Sequence, residues 1–181
     1  MPVAHDSSVL LALLSNGPLW WGLAACGLAQ LSKLVIDLLI HRRWRPAVLF
    51  ETGGMPSSHS ALLTGTTAAI GWQQGFGSPL FALAATLCFV VLYDASGVRR
   101  AAGLTAQRVN QLPATLWPDP SETSDAGASS DHRPLKENLG HTKLEVMIGS
   151  LMGPAVALPG LVFLGAPLEL AVRWGWMLQP G

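Results

Sequence analysis

Charged residues are scarce in this chain of 181 residues. Only 12% of them are Asp, Glu, Lys or Arg, and 50% are hydrophobic, whereas a typical soluble domain carries about 25% charged residues. Acidic and basic residues balance at 11 each, so the net charge gives no indication of a nucleic-acid partner. The apolar content also excludes a chain that is disordered throughout. A compact membrane protein or an unusually apolar soluble helical domain remains.

Cysteine and metal-ligand patterns are also nearly absent. Cys26 and Cys88 both lie inside apolar runs, which argues against a disulfide scaffold. The chain has no His-Glu-x-x-His sequence and no cysteine pair, and a His-x3-Glu spacing alone is a weak metal signal. We therefore expect neither a metal nor another cofactor.

Apolar stretches of helical length dominate what is present. A helix of about 20 apolar residues spans a bilayer, and the stretches are too long for strands and lack alternation. A soluble bundle is the alternative, but it would show polar faces on most helices. The sequence predicts an all-α polytopic membrane bundle of about 4–6 helices. Its candidate spans are residues 18–40, 57–73, 78–93 and 144–164, with a Pro-broken fifth reaching Trp176.

The domain organisation follows from these stretches. Residues 1–17 form an N-terminal segment; its apolar run is short and lacks the features of a signal peptide, so an interfacial helix is expected. Residues 18–176 form the membrane helical domain. Residues 117–134 interrupt it with a run rich in Pro, Ser, Gly and Asp, which predicts a flexible cytoplasmic insertion. A phosphorylated segment is the alternative for that run.

Basic residues cluster at alternate ends of the predicted spans. With three single crossings between residues 18 and 94, every cluster falls on one side of the membrane, and the positive-inside rule makes that side cytoplasmic. The expected location is a bacterial inner membrane or a related organellar membrane. The clusters are Arg42, Arg43 and Arg45; Arg99, Arg100 and Arg108; and Arg133, Lys136 and Lys143.

Three polar side chains interrupt the first stretch at helical spacing, and His41 follows it at the same spacing. Gln30, Lys33, Asp37 and His41 are separated by three, four and four positions, which places them on one helix face. Lys33 and Asp37 have the spacing of a purely structural ion pair. Ionisable residues inside a membrane are costly and usually functional, so the other interpretation is that Lys33 faces a shared polar cavity and binds an anion.

The second span is preceded by a distinctive stretch, Gly53-Gly54-Met55-Pro56-Ser57-Ser58-His59-Ser60. The two glycines free the backbone, the proline suits the first turn of a helix, and Ser57 or Ser58 suits its N-cap. A helix N-terminus offers unpaired N–H groups and a positive dipole, which favour an anion. His59 would lie in that first turn, either at the site or as an interfacial side chain.

A third block places His141 and Glu145 four positions apart, hence on one helix face. The carboxylate can hold one imidazole nitrogen and leave the other free as a nucleophile. Gly149 and Gly153 continue the same stripe and would allow close packing below the site.

The fourth block begins where the third span leaves the lipid. It predicts either a juxtamembrane anchor on anionic lipid heads or a phosphate clamp, because the guanidinium fork fits phosphate bidentately. Asp94 could orient one of the arginines. The block comprises Asp94, Arg99 and Arg100 and continues through Gly103 and Gln107 to Asn110.

Together these blocks resemble the type 2 phosphatidic acid phosphatases and the related vanadium haloperoxidases. That superfamily has Lys-x6-Arg-Pro, Pro-Ser-Gly-His and Ser-Arg-x5-His-x3-Asp motifs. Residues 56–59 match the second motif with Ser58 in place of glycine, and His141 and Glu145 match the end of the third with Glu in place of Asp. A divergent branch found in bacteria and plastids is more similar still. The matching blocks are residues 29–33, 53–61, 93–100 and 135–142.

The resemblance implies a metal-independent phosphatase acting on a membrane lipid phosphate. His141 would attack phosphorus to form a phospho-histidine, and Glu145 would hold its ring. His59 would protonate the leaving oxygen and then activate water. Phosphate binding would fall to Lys33, Arg99, Arg100, Lys136, Ser57 and Ser58, with Asp94, Gly53, Gly54 and Asn110 in support.

The chain departs from the superfamily at two points. Leu135 stands six positions before His141, where the superfamily has arginine, and Arg45-Pro46 follows Lys33 by twelve positions instead of seven. We infer that Arg99 and Arg100 supply the missing guanidinium. The alternative is a catalytically degenerate module that binds anionic lipid or phosphate head groups.

Overall fold

The computed structural model describes residues 4–42, 44, 47, 53–113, 116 and 134–175. Within these ranges the chain forms helices and no strands. The predicted insertion at 117–134 falls outside them except for its last residue. The helices are α1 (Ala4–Leu14), α2 (Gly17–His41), α3 (Ser58–Gln74), α4 (Pro79–Ser96), α5 (Val98–Asn110), α6 (Lys143–Pro159) and α7 (Pro167–Arg173), with a π-helical turn at Gly160–Leu164.

Three continuous helical stretches are long and apolar enough to cross a membrane. They are Gly17–Ile40, Pro79–Asn110 (which joins α4 to α5) and Lys143–Arg173. Their large apolar side chains point outward to an unusual degree; Phe89 and Tyr93 on α4 are each 77% exposed. Exposing such a surface to water would cost free energy, whereas exposing it to lipid would not. The predicted all-α membrane bundle is confirmed.

Helix α3 lies at the centre of the bundle, packed against α2, α4 and α6. Its 17 residues extend for about 26 Å, close to the roughly 30 Å of a hydrocarbon core. It is less apolar than the three long stretches because protein, and not lipid, covers much of its surface. Its buried positions are correspondingly small: Ser58, Ser60, Ala61, Gly65, Ala69 and Gly71.

Contacts between side chains fix the directions of these helices. Cys26 on α2 meets Ser58 at the start of α3, and Gly22 faces Thr66, further along α3, so the two helices are antiparallel. Helices α3 and α4 are also antiparallel. Helix α6 instead runs parallel to α3. The N-termini of α3 and α6 therefore lie at the same end of the bundle as the C-terminus of α4.

Glycines allow α6 to approach α3 closely. A Cβ atom at Gly149 would collide with the carbonyl oxygen of Ser57, and one at Gly153 would lie 2.6 Å from the amide nitrogen of Gly65. The predicted close packing below the third block is confirmed. Next to it, Ala25, Ala29 and Ala61 are fully buried. Close backbone approach through small residues is a common way to join helices in lipid.

The start of α3 differs in one respect from the sequence prediction. Pro56 lies before the N-cap, not in the first helical turn, and Ser57 is the cap. The physical reason is that the Ser57 hydroxyl accepts a hydrogen bond from the Ser60 amide, while the Ser57 amide donates outside the helix to the Glu145 carbonyl oxygen. The helix therefore begins at Ser58.

The contact between α3 and α6 yields a stability prediction. Gly153→Ala should lower the free energy of unfolding by about 1–3 kcal/mol, because the new methyl group has no room between the two backbones. The matched control is Gly27→Ala on α2, where a Cβ would meet nothing within 4 Å. Better helix propensity should make that variant equal or up to about 1 kcal/mol more stable. The measurement is the thermal unfolding midpoint in detergent micelles. Equal midpoints for the two variants would contradict the packing described here.

Candidate active site

His141 is held by the end of α4. Its backbone amide donates a 2.9 Å hydrogen bond to the carbonyl oxygen of Ala95, in the last turn of that helix. The side chain is 6% exposed. A buried imidazole costs free energy unless its nitrogens find partners, and the start of α6 provides one.

Glu145 has two tasks at the N-terminus of α6. Its backbone amide donates to the hydroxyl of Thr142 at 3.3 Å, and its carboxylate accepts from the Thr142 amide at 3.3 Å. Together these bonds form a capping box. The same carboxylate oxygen lies 2.9 Å from Nδ1 of His141. When that carboxylate is ionised it only accepts hydrogen bonds, so Nδ1 is the ring nitrogen that donates to it.

The start of α3 adjoins the start of α6. The Ser57 amide donates to the Glu145 carbonyl oxygen at 3.1 Å. Ser57 is fully buried and Ser58 is 2% exposed, so these hydroxyls face protein. His59 follows in the first turn and has a more exposed side chain. It interacts electrostatically with His141, Lys33 and Arg99, which places residues from four predicted blocks around one another.

Lys33 reaches this group from α2. Its side chain is 4% exposed and interacts electrostatically with Glu145. Its aliphatic stem passes beside Gly54, where an added Cβ would lie 3.9 Å from Lys33 Cδ. Gly54 has φ +77° and Gly53 has φ +123°, values that favour glycine. Lys33 therefore lies close to the polar groups at the starts of α3 and α6.

Cys26 also belongs to this region, which the sequence analysis missed. Its thiol lies near the Lys33 ammonium and the Ser58 side chain. The two α2 residues are seven positions apart, which is two helical turns and thus one face. That spacing was available in the sequence, but a cysteine within an apolar run is ordinarily a core residue.

The predicted arginine clamp is more open than the imidazole group. Arg99 Nε donates to Asp94 Oδ2, as the sequence predicted, and the Arg99 side chain is 66% exposed. Arg100 and Lys136 are exposed as well. Asn110 uses its amide to bind the backbone of Leu135, so it supports the chain segment and not a phosphate directly.

The side chains that could bind a metal ion are not clustered in the part of the chain that the structure describes. No group of three or more His, Cys, Asp or Glu residues is placed there to hold a metal ion. What the site does offer is an oriented imidazole, a second imidazole and a buried ammonium at one end of an apolar bundle. This constellation suits an anionic phosphoryl group.

The fold and these residues define a helical membrane protein with a histidine–carboxylate pair at a helix boundary. The chain belongs to the divergent PAP2 family, whose model matches residues 14–156. It is 38% identical over 146 residues to the "Uncharacterized membrane protein YuiD" of Bacillus subtilis (strain 168), covering 79% of this chain and 92% of that protein. No solved structure matches the chain.

The capping box gives a prediction for the local stability of the site. Thr142→Ala removes the hydroxyl that accepts from the Glu145 amide and should lower the free energy of unfolding by about 1 kcal/mol. Thr142→Ser keeps that oxygen and should stay within about 0.5 kcal/mol of the unaltered protein. Thermal unfolding in detergent micelles measures both. If the alanine variant is as stable as the serine variant, the capping role of Thr142 is wrong.

Proposed function

We propose that this protein is an integral membrane phosphatase that hydrolyses a lipid phosphomonoester or diphosphate through a phospho-histidine. The observation that carries the proposal is the contact of 2.9 Å between His141 Nδ1 and the Glu145 carboxylate. This contact occupies Nδ1 and leaves Nε2 as the ring nitrogen that would attack phosphorus. Membership of the divergent PAP2 family supports the same chemistry.

The proposed reaction has two steps. In the first, Nε2 of His141 bonds to phosphorus while the bond from phosphorus to the lipid oxygen breaks, and His59 gives that oxygen a proton. In the second, His59 takes a proton from water, whose oxygen attacks the phospho-histidine and releases inorganic phosphate. No metal takes part, because positioned charges stabilise the phosphoryl group.

Cations on three elements would neutralise that charge. Lys33 interacts electrostatically with Glu145 at the centre of the group, and Arg99 interacts with His59. Arg99 therefore takes the role of the arginine that Leu135 replaces, with Arg100 and Lys136 at the exposed side. The backbone amides that begin α3 after the Ser57 cap add the dipole of a helix N-terminus.

The position of the site favours a lipid substrate. The clustered ends of α3, α4 and α6 stand at one end of a bundle with outward-facing apolar side chains, where a lipid phosphate head group would lie. Phosphatidate, phosphatidylglycerol phosphate and an isoprenyl diphosphate carry the required group. The positive-inside rule supports a site on the cytoplasmic side of a bacterial inner membrane or a related organellar membrane.

A degenerate binding module is the second candidate function. It is favoured by the exposure of Arg99 and Arg100 and by Leu135 at the position of the superfamily arginine. Such a module would hold anionic head groups without turnover. Its binding to anionic vesicles would survive His141→Ala and weaken when Arg99 and Arg100 are both replaced by alanine.

Phosphate release tests the enzymatic proposal. Purified protein in mixed micelles should release phosphate from at least one of the three lipids without added metal and in the presence of EDTA. Vanadate should inhibit it, and His141→Ala should abolish it, because no other group takes over as nucleophile. Lys143→Ala, an exposed change two residues away, should retain activity. No release from any of these lipids would contradict the proposal and leave the binding module.

A second variant separates the two tasks of Glu145. Glu145→Gln can still cap α6, but it leaves the buried ammonium of Lys33 without the carboxylate with which it interacts, so the unfolding midpoint should fall. The substitution also removes the negative charge that would stabilise the positive charge on the His141 ring when Nε2 bonds to phosphorus. We therefore expect kcat to fall by about 100-fold or more. The matched control is Glu169→Gln, because Glu169 accepts from the Ala166 amide in the same capping position of α7. If both variants retain full activity, the carboxylate is only a cap.

A further inference from the structure

The segment before His141 lies along α5. A Cβ at Gly103 would lie 2.7 Å from the carbonyl oxygen of Glu137 and 2.9 Å from that of Leu139, so the segment touches the helix backbone directly. Further along, Gly140 has φ +74°, and a Cβ there would collide with the backbone of Arg100. Helix α5 therefore serves as the surface on which this segment rests.

Asn110, the last residue of α5, binds the far end of the segment through its whole side-chain amide. Its Oδ1 accepts from the Leu135 amide at 2.9 Å. Its Nδ2 donates to the Leu135 carbonyl oxygen at 2.9 Å and to Glu137 Oε1 at 2.8 Å. Both N–H groups and the oxygen thus have partners. A side chain with one acceptor and two donors in this geometry must be an amide.

The segment is consequently fixed at both ends. Asn110 holds Leu135, and the carbonyl oxygen of Ala95 accepts from the His141 amide at 2.9 Å. Residues 110 and 135 are 25 positions apart in the chain, so their contact closes a loop that would otherwise leave the segment with little restraint. What is anchored at the downstream end is the imidazole that the proposed function makes the nucleophile.

We propose that Asn110 is a positioning residue, which aligns His141 through the segment 134–141 without touching substrate. The inference rests on the proposed function for the role of His141, but the alignment itself does not require turnover. It replaces the sequence prediction that Asn110 supports phosphate binding. A misplacement of about 1 Å at a reacting atom can cost about 100-fold in rate, so a distant clamp of this kind affects catalysis.

Amide hydrogen exchange tests the alignment directly in the full chain in lipid nanodiscs. Asn110→Ala should accelerate exchange of the Leu135 and His141 amides by about 10-fold, because the first donates directly to Asn110 and the alignment of the second depends on that anchor. Exchange in α3 and α6 should remain as in the unaltered protein. Gln107→Ala, an exposed polar change on the same helix, should leave 134–141 unchanged. Unaltered exchange in Asn110→Ala, or an equal increase in α3 and α6, would overturn the proposal.

A second substitution at Glu137 tests whether the lost protection against hydrogen exchange can be restored. Asn110→Asp can accept from the Leu135 amide but places a carboxylate against both the Leu135 carbonyl oxygen and the Glu137 carboxylate, so exchange in 134–141 should rise. Adding Glu137→Gln supplies a donor to the new carboxylate and should recover much of the protection. A merely structural disturbance would not be repaired by neutralising the neighbouring carboxylate of Glu137. If the double variant exchanges as fast as Asn110→Asp alone, the clamp is not specific.

Kinetics then connect the alignment to the reaction. In Asn110→Ala kcat should fall at least 10-fold with KM nearly unchanged, because substrate binding does not use this residue. A variant with faster exchange and an unchanged kcat would overturn the positioning role. If the unaltered protein releases no phosphate, the proposed function fails, whereas the exchange data still decide whether Asn110 aligns His141.

Discussion

A single backbone hydrogen bond, from the Ser57 amide to the Glu145 carbonyl oxygen, joins the starts of α3 and α6. It forms only because Gly149 lets the two backbones meet. The bond fixes the position of α3 relative to α6 along the bundle axis. The starts of these two helices bring His59 and His141 to the same end of the bundle. Any bulk at this contact would separate His59 from His141, and the cations around them would no longer face a common centre.

The site also shows how a largely apolar chain supports buried polar groups. Lys33 is almost fully buried and would be costly in lipid, but it stands opposite Glu145. Glu145 in turn serves the helix cap and the imidazole together. One carboxylate thus stabilises the helix, the tautomer and the ammonium. A bundle with few charged residues can stabilise several polar groups with one carboxylate only if those groups lie close to it. The polar groups are accordingly concentrated at one end.

Much of the fold could be predicted from the sequence because lipid selects for length and apolar content. Three of the predicted spans, 18–40, 78–93 and 144–164, correspond to stretches long and apolar enough to cross a membrane, whereas 57–73 does not. The pairing of His141 with Glu145 and the glycine contact below them follow from helical spacing, which is a local property. The cap at Ser57 was one of two choices. Its selection depends on Glu145, a residue 88 positions away in the chain, which explains why Pro56 precedes the helix and does not begin it.

Contacts between distant segments account for what sequence reasoning missed. In the sequence, Asn110 belongs to an arginine-rich polar stretch. Its hydrogen-bond partners are Leu135 and Glu137, which follow the predicted insertion. Cys26 looked like a core residue because its neighbour Ser58 belongs to another helix. The Thr142-x-x-Glu145 capping pattern is local and could have been predicted from the sequence as well, but it was also missed. Spacing identifies residues on one face, but the partner of that face depends on how the helices assemble.

The central claim is that His141 becomes covalently phosphorylated during turnover. Rapid acid-free quenching with a lipid labelled at its phosphate, followed by peptide mass spectrometry, tests it most directly. The account predicts an acid-labile phosphoryl group on the peptide that contains His141, formed before phosphate appears in solution and absent in His141→Asn. Phosphate release without any label on that histidine would contradict it.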